Sequence, residues 1–289
     1  GDKIALALRS PAAGESSSTA TVEILGLKSE FHVTTKFVSS KSRRYRATLV
    51  GDARDAIVLS WESVASAQGQ SNVFYGSSDK GRRYVDYPAS VAASNLIDFL
   101  GSQHRSAMLQ NLEPDTTYYF VILDQGHLSE RFWFRTAPTT GTLALIAGAN
   151  TATVRTSRTQ GNTIVRKLRP HAVLIGGNFV ATNDLNQWLE WFNDWQATIT
   201  DDRRIIPLIP ARGALETDSE TLNILFGVPA SNYYATQLGN DLRILTLDTR
   251  GPLNKQAQWI QSLPSTANSG WSIAHYFDPM RTLSSSLST

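Results

Sequence analysis

The 289 residues carry 27 Lys and Arg against 25 Asp and Glu, a net charge of +2 that excludes the strong field of a phosphate-tracking nucleic-acid binder. Cysteine is absent, which excludes disulfide frameworks, zinc fingers and thiol catalysis, and no apolar run nears the roughly 20 residues that a membrane helix needs. At this length, 41% hydrophobic and 18% charged residues predict a globular chain of two domains.

Residues 1–42 read as an extra β segment, with short alternating runs at Ile4–Leu8, Ala20–Leu25 and Phe31–Phe37 and a Ser-rich loop over 11–19. The segment is too short to bury a core of its own, so its strands are expected to pair with the neighbouring domain or with another copy of the chain. Lys41-Ser-Arg-Arg-Tyr-Arg46 is the densest basic patch and reads as a solvated linker face. Residues 43–138 read as a β-sandwich, with strands at Tyr45–Val50, Ala56–Trp61, Asn72–Gly76, His104–Leu109, Thr117–Leu123 and Arg131–Phe134. Within it, Leu112-Glu-Pro-Asp-Thr-Thr-Tyr118 resembles the tyrosine-corner segment of fibronectin type III domains, in which Tyr118 bonds back to the preceding loop. Trp61, Tyr75 and Trp133 are assigned to packing rather than to a recognition surface.

After Pro138 and a Thr-Thr-Gly hinge, residues 139–289 alternate strands with helices, as an α/β layered domain does. Asn183 to Ile199 carries Trp188, Leu189, Phe192, Trp195 and Ile199 at helical spacing, with Asn183 or Thr182 as the cap. A strand at Leu242–Leu247 and a helix at Pro252–Leu263 follow.

Four segments of this half carry a family pattern. Leu143-Ala-Leu-Ile-Ala-Gly-Ala-Asn150 resembles the buried first strand of calcineurin-like metallophosphoesterases, and Val173-Leu-Ile-Gly-Gly-Asn178 is similar to the second, which ends Gly-Gly-Asp. Pro210-Ala-Arg-Gly-Ala-Leu-Glu216 resembles the Gly-Asn-His-Glu signature, and Trp271 to Arg281 resembles the fourth, with its His two residues before a Pro. With a fibronectin type III-like sandwich placed before it, the arrangement resembles purple acid phosphatases. The fold implied is a two-domain β plus α/β chain, its α/β part C-terminally truncated, because the final Gly-His-x-His signature does not occur before Thr289.

That resemblance implies a binuclear Fe, Zn or Mn centre for phosphomonoester hydrolysis, yet Asn150 and Asn178 stand at the aspartate positions. Ala214 and Leu215 replace Asn-His, and Phe277 replaces the fourth-motif His. Neutral amides bind hard cations weakly, and Ala, Leu and Phe do not ligate. Bridging two cations about 3.5 to 4 Å apart needs a shared negative charge, which an Asn lacks. No catalytic residue, metal or cofactor is therefore expected. Arg155, Arg212 and Arg281 are candidates for a residual anion contact, weighed against pairing with Glu216, Asp218 or Asp278. His171 and His275 are too few for a three-ligand zinc site, and no nucleophile elbow or phosphate loop occurs. The preferred expectation is a secreted or cell-surface scaffold of bacterial type that associates with its own copies by strand addition, without nucleic acid and without a membrane span, its small-molecule ligand unknown. The alternatives are a weak metal-dependent phosphomonoesterase using Asn150, Asn178 and groups such as Asp184, Glu216 or Asp278, and a surface adhesin.

Overall fold

The computed structural model describes residues 41–63, 69–94, 96–152, 154–264 and 270–279, and the backbone of 18–24 and 27–33. Two compact units divide the chain, Gly1–Ser39 and Ser40–Thr289. In the first, β1 (Ser18–Ile24) and β2 (Leu27–Val33) pair antiparallel, Ile24 opposite Leu27. Each strand finds its one ladder among the described residues in the other, two residues away along the chain. The strand expected at Ile4–Leu8 lies outside the described residues.

The second unit opens with the sandwich strands β3 (Arg43–Thr48), β4 (Gly51–Asp52), β5 (Ile57–Glu62), β6 (Ser71–Gly76), β7 (Ala89–Ala92) and β8 (Ile97–Phe99). It continues with β9 (Ser102–Leu109), β10 (Thr117–Asp124), β11 (His127–Leu128) and β12 (Phe132–Arg135). Then follow β13 (Leu145–Gly148), α1 (Arg155–Leu168), β14 (Ala172–Gly176), α2 (Leu185–Trp195), β15 (Leu208–Ala211) and α3 (Thr221–Phe226). The described chain closes with β16 (Tyr234–Leu238), β17 (Leu242–Thr246), α4 (Leu253–Ser262) and β18 (Trp271–His275).

Residues 43–52 tie the two halves together. One sheet has the order β13-β14-β15-β3-β5-β9-β8, so the parallel α/β strands continue into the sandwich through β15 and β3. Leu208 faces Thr48, and the Leu49 N–H donates to the Leu208 carbonyl at 3.0 Å. Three residues on, β4 joins a second sheet of order β18-β17-β16-β4. The remaining sandwich strands form the sheet β11-β10-β6-β7, with β12 on β10. The Thr-Thr-Gly segment, expected as a hinge, is pinned instead: the Asn240 N–H donates to the Thr139 carbonyl at 2.8 Å.

Burial follows the side-chain chemistry. Ala172-Val-Leu-Ile-Gly176 is buried on both faces, as a central parallel strand is, whereas β10 and β16 bury mainly alternate residues. Along α2, Trp188, Trp191, Phe192 and Trp195 form one buried stripe that meets Phe179 and Phe226. Its cap is Asp184, whose side chain accepts the Gln187 N–H at 3.1 Å, rather than Asn183 or Thr182. The Asn183 Oδ1 is taken instead by the Trp188 Nε1–H at 2.7 Å. Trp61 is core, as expected, and Tyr118 closes its corner by accepting the Glu113 N–H at 2.9 Å.

The basic patch is not a solvated face. Arg44 and Arg46 are buried within β3, and the Arg46 guanidinium lies 4.3 Å from the Phe192 ring centre and donates to the Arg44 carbonyl at 2.8 Å. Burial lowers its pKa to about 9, so it stays charged at neutral pH.

Candidate functional site

Strands β13, β14 and β15 run parallel and in register, so their C-terminal ends lie together, the edge at which open α/β sheets place ligands. The loop after β18 joins them: the Tyr276 carbonyl lies 3.4 Å from where a Cβ on Gly176 would sit. The first strand, expected to be buried, is partly exposed and stands at the end of its sheet among the described residues.

Asn150 (φ 55°) and Asn178 (φ 47°) end their strands in the left-handed region, which Asn tolerates better than most side chains. The Asn150 N–H donates to the Gly177 carbonyl at 2.9 Å, and Asn178 Nδ2 donates to Asn150 Oδ1 at 3.4 Å. Asn178 Oδ1 accepts the Leu215 N–H at 3.0 Å. Around these bonds the loops touch backbone to backbone. A Cβ on Gly177 would lie 2.4 Å from Gly213 Cα, so the approach requires glycine at both positions.

Beneath the contact, Glu216 is fully buried, and its carboxylate accepts the N–H groups of Asn178 (3.0 Å), Phe179 (2.9 Å) and Gly213 (2.8 Å). Burial pushes its pKa up, and the backbone bonds pull against that shift. The side chain locks the second and third loops together; its oxygens face the backbone.

A binuclear metal centre of the kind this fold implies does not fit these residues. Among the described residues no group of three His, Cys, Asp or Glu is placed to hold a metal ion. Asn150, Asn178 and Leu215 are knit together, Ala214 lies between Gly213 and Leu215 in the same loop, and Phe277 follows Tyr276. The acids named as substitutes are committed elsewhere. Asp184 caps α2, Glu216 holds backbone, and Asp278 accepts from Thr249 Oγ1 at 2.7 Å and Arg250 at 3.1 Å. His275 is buried with Nε2 3.1 Å from the Ile209 carbonyl, and burial lowers its pKa.

Of the two candidate arginines among the described residues, Arg212 follows β15 directly and Arg155 lies on α1, and both are paired. Arg155 opens α1 and pairs with Asp194 and Glu190 rather than with Glu216, Asp218 or Asp278. Arg212 donates to the Glu216 carbonyl at 2.9 Å and the Thr217 carbonyl at 2.9 Å, and pairs with Asp248 at 3.1 Å. Arg281 lies outside the described residues. Two acids escaped the sequence reading. Asp248 follows β17, where a carboxylate after a buried strand is itself a signal, and Asp194 sits one turn beyond Glu190 on α2, where the pair receives Arg158.

Residues 42–136 match the family profile described as the purple acid phosphatase N-terminal domain. Among solved structures, the chain resembles the purple acid phosphatase PPD1 from yellow lupin (Lupinus luteus) at 14% identity and a TM-score of 0.62, over 89% of this chain and 55% of that one. It resembles a PhoD structure at 11% identity and a TM-score of 0.52, over 80% of this chain and 60% of that one. No curated relative matches in sequence. The chain thus spans little more than half the length of the two structures. No helix among the described residues is long and apolar enough to cross a membrane. Residues 42–136 thus resemble the N-terminal domain of purple acid phosphatases, an α/β part follows, and most of the chain has a fold like that of purple acid phosphatase and PhoD structures.

Proposed function

We propose that this chain is a non-catalytic scaffold that reuses a phosphatase fold and associates with its own copies, in a secreted or cell-surface setting. The observation that carries the reading is the Asn150–Asn178–Leu215 network at the strand ends, where neutral and apolar groups bond to one another in place of ligands. Hard cations need anionic oxygen or imidazole donors to offset the loss of their water. Self-association is supported by β18, which has β17 on one side and no second neighbour among the described residues. Trp271 and Ile273 on it are 74% and 41% exposed. An open strand edge with apolar side chains is a template for pairing with another chain.

Fold likeness favours a competing reading, a weak metal-dependent phosphomonoesterase. Metal content after dialysis against Mn, Zn and Fe, together with hydrolysis of p-nitrophenyl phosphate, separates the two. The scaffold reading expects neither bound metal nor turnover. Stoichiometric metal, with hydrolysis lost on chelation, supports the phosphatase instead. Sedimentation velocity over a concentration series tests assembly, and a strict monomer at the highest concentration rejects it.

A further inference from the structure

A cleft of about 510 Å³ lies where the sandwich meets the α/β layers, lined from β3, β12, α1, α2 and the loop over 199–203. Four arginines reach it, Arg43, Arg44, Arg166 and Arg203, beside the half-buried Ile199 and the buried Tyr45 and Phe132. Its size is that of a small-molecule site.

Two of these arginines sit on unusual backbone. Arg44 has φ 55° and Arg203 φ 70°, left-handed conformations that a long side chain rarely takes. The register of β3 against β5 shifts between Arg43 and Arg46, and bulges of this kind re-aim side chains beside sites. Strained residues cluster at ligand clamps, where packing holds them.

The charges are left in surplus. Arg43 and Arg44 share the single buried carboxylate of Glu62, and Arg44 Nε also donates to Asn193 Oδ1 at 2.9 Å. Arg166 pairs at 3.1 Å with Asp201, whose side chain is 90% exposed, so water screens that pair and an anion can displace it. Arg203 is exposed, and among the described residues its guanidinium has no ion-pair partner. Glu130 is the remaining acid on the wall.

We infer that this cleft binds a small organic oxyanion, a carboxylate or phosphate ester, carried on a flat apolar body. The oxyanion takes the guanidinium forks of Arg203 and Arg166, whose planar donors match it bidentately. The apolar body lies against Ile199, the half-buried apolar residue of the lining, beside the core pair Tyr45 and Phe132. This site is separate from the strand ends and stands whether or not the chain is catalytic.

Calorimetric titration of the full chain with phenyl phosphate, benzoate and phenol tests it. The expected result is one saturable site for at least one of the two anions, none for phenol, and affinity weakened about tenfold in Arg203→Gln and Arg166→Gln. Arg250→Gln, whose arginine pairs with Asp278 elsewhere, should bind as the parent does. Absence of saturable binding by either anion, binding of phenol as tight as that of the anions, or unchanged affinity in both cleft variants would overturn the proposal. So would an equal loss in Arg250→Gln, which would move the binding to the strand ends.

Discussion

Asn178 Oδ1 and the Leu215 N–H are joined at 3.0 Å, so the side chain at the bridging position of the phosphatase pattern serves to hold the next loop. An Asp there would keep that bond through its own oxygen. The double variant Asn150→Asp with Asn178→Asp should therefore fold, yet gain no tight metal, because Leu215, Ala214 and Phe277 still offer no donor. Inductively coupled plasma analysis after dialysis against Mn and Zn checks this; stoichiometric metal would show that two carboxylates suffice.

Glu216→Gln places an amide donor against backbone N–H groups that now share a carboxylate. At least one buried donor then loses its acceptor, and the expected loss is about 2 kcal/mol or more in urea unfolding. The pH dependence has a definite sign. A raised carboxyl pKa means that the folded state holds the proton more tightly, so this group's contribution is present below the ordinary glutamate value and is lost as pH rises through the folded value. The variant should lack that slope.

Histidines act in the opposite direction. His104 is held well below its ordinary pKa, first by burial and then by Arg46, whose guanidinium lies 3.3 Å from Nδ1. His275, His171 and His127 are lowered too, mainly by burial. The unfolded chain then binds more protons below the ordinary histidine value of about 6.5, and stability falls as pH drops through it. Thermal melts from neutral to mildly acidic pH should show a declining midpoint, and His104→Gln should shallow the decline.

Gly213 and Gly161 should respond oppositely to alanine. A Cβ on Gly213 would lie 2.2 Å from the Asn178 nitrogen, so Gly213→Ala forces the loops apart at a cost of about 3 kcal/mol. A Cβ on Gly161, inside α1, meets nothing within 4 Å, and Gly161→Ala should stabilise by about 0.5–1 kcal/mol. Chemical denaturation of both variants side by side is the measurement.

Period and turn chemistry made much of the architecture legible. The sandwich strands near 57–62, 71–76 and 117–124 stood out as short runs rich in β-branched and aromatic residues, and α2 by its aromatic stripe at helical spacing. Short strands such as β7 and β8 did not, since three or four half-exposed residues carry no period. The fate of the basic patch was equally hidden: Arg46 is held in the core by the Phe192 ring and by the Leu225 carbonyl, both far along the chain, together with the Arg44 carbonyl.

Residue identity by itself determined that the strand ends carry amides and apolar side chains where a metal centre needs carboxylate and imidazole, because ligand chemistry belongs to the side chain wherever it is placed. Only the tertiary structure decided what those residues do instead. Contacts between residues tens of positions apart bind Asn178 to Leu215, bury Glu216 under three N–H groups, and turn Arg155 and Arg212 to Asp194 and Asp248. Such pairings depend on which strand ends the sheet order brings together, and local sequence does not encode that order.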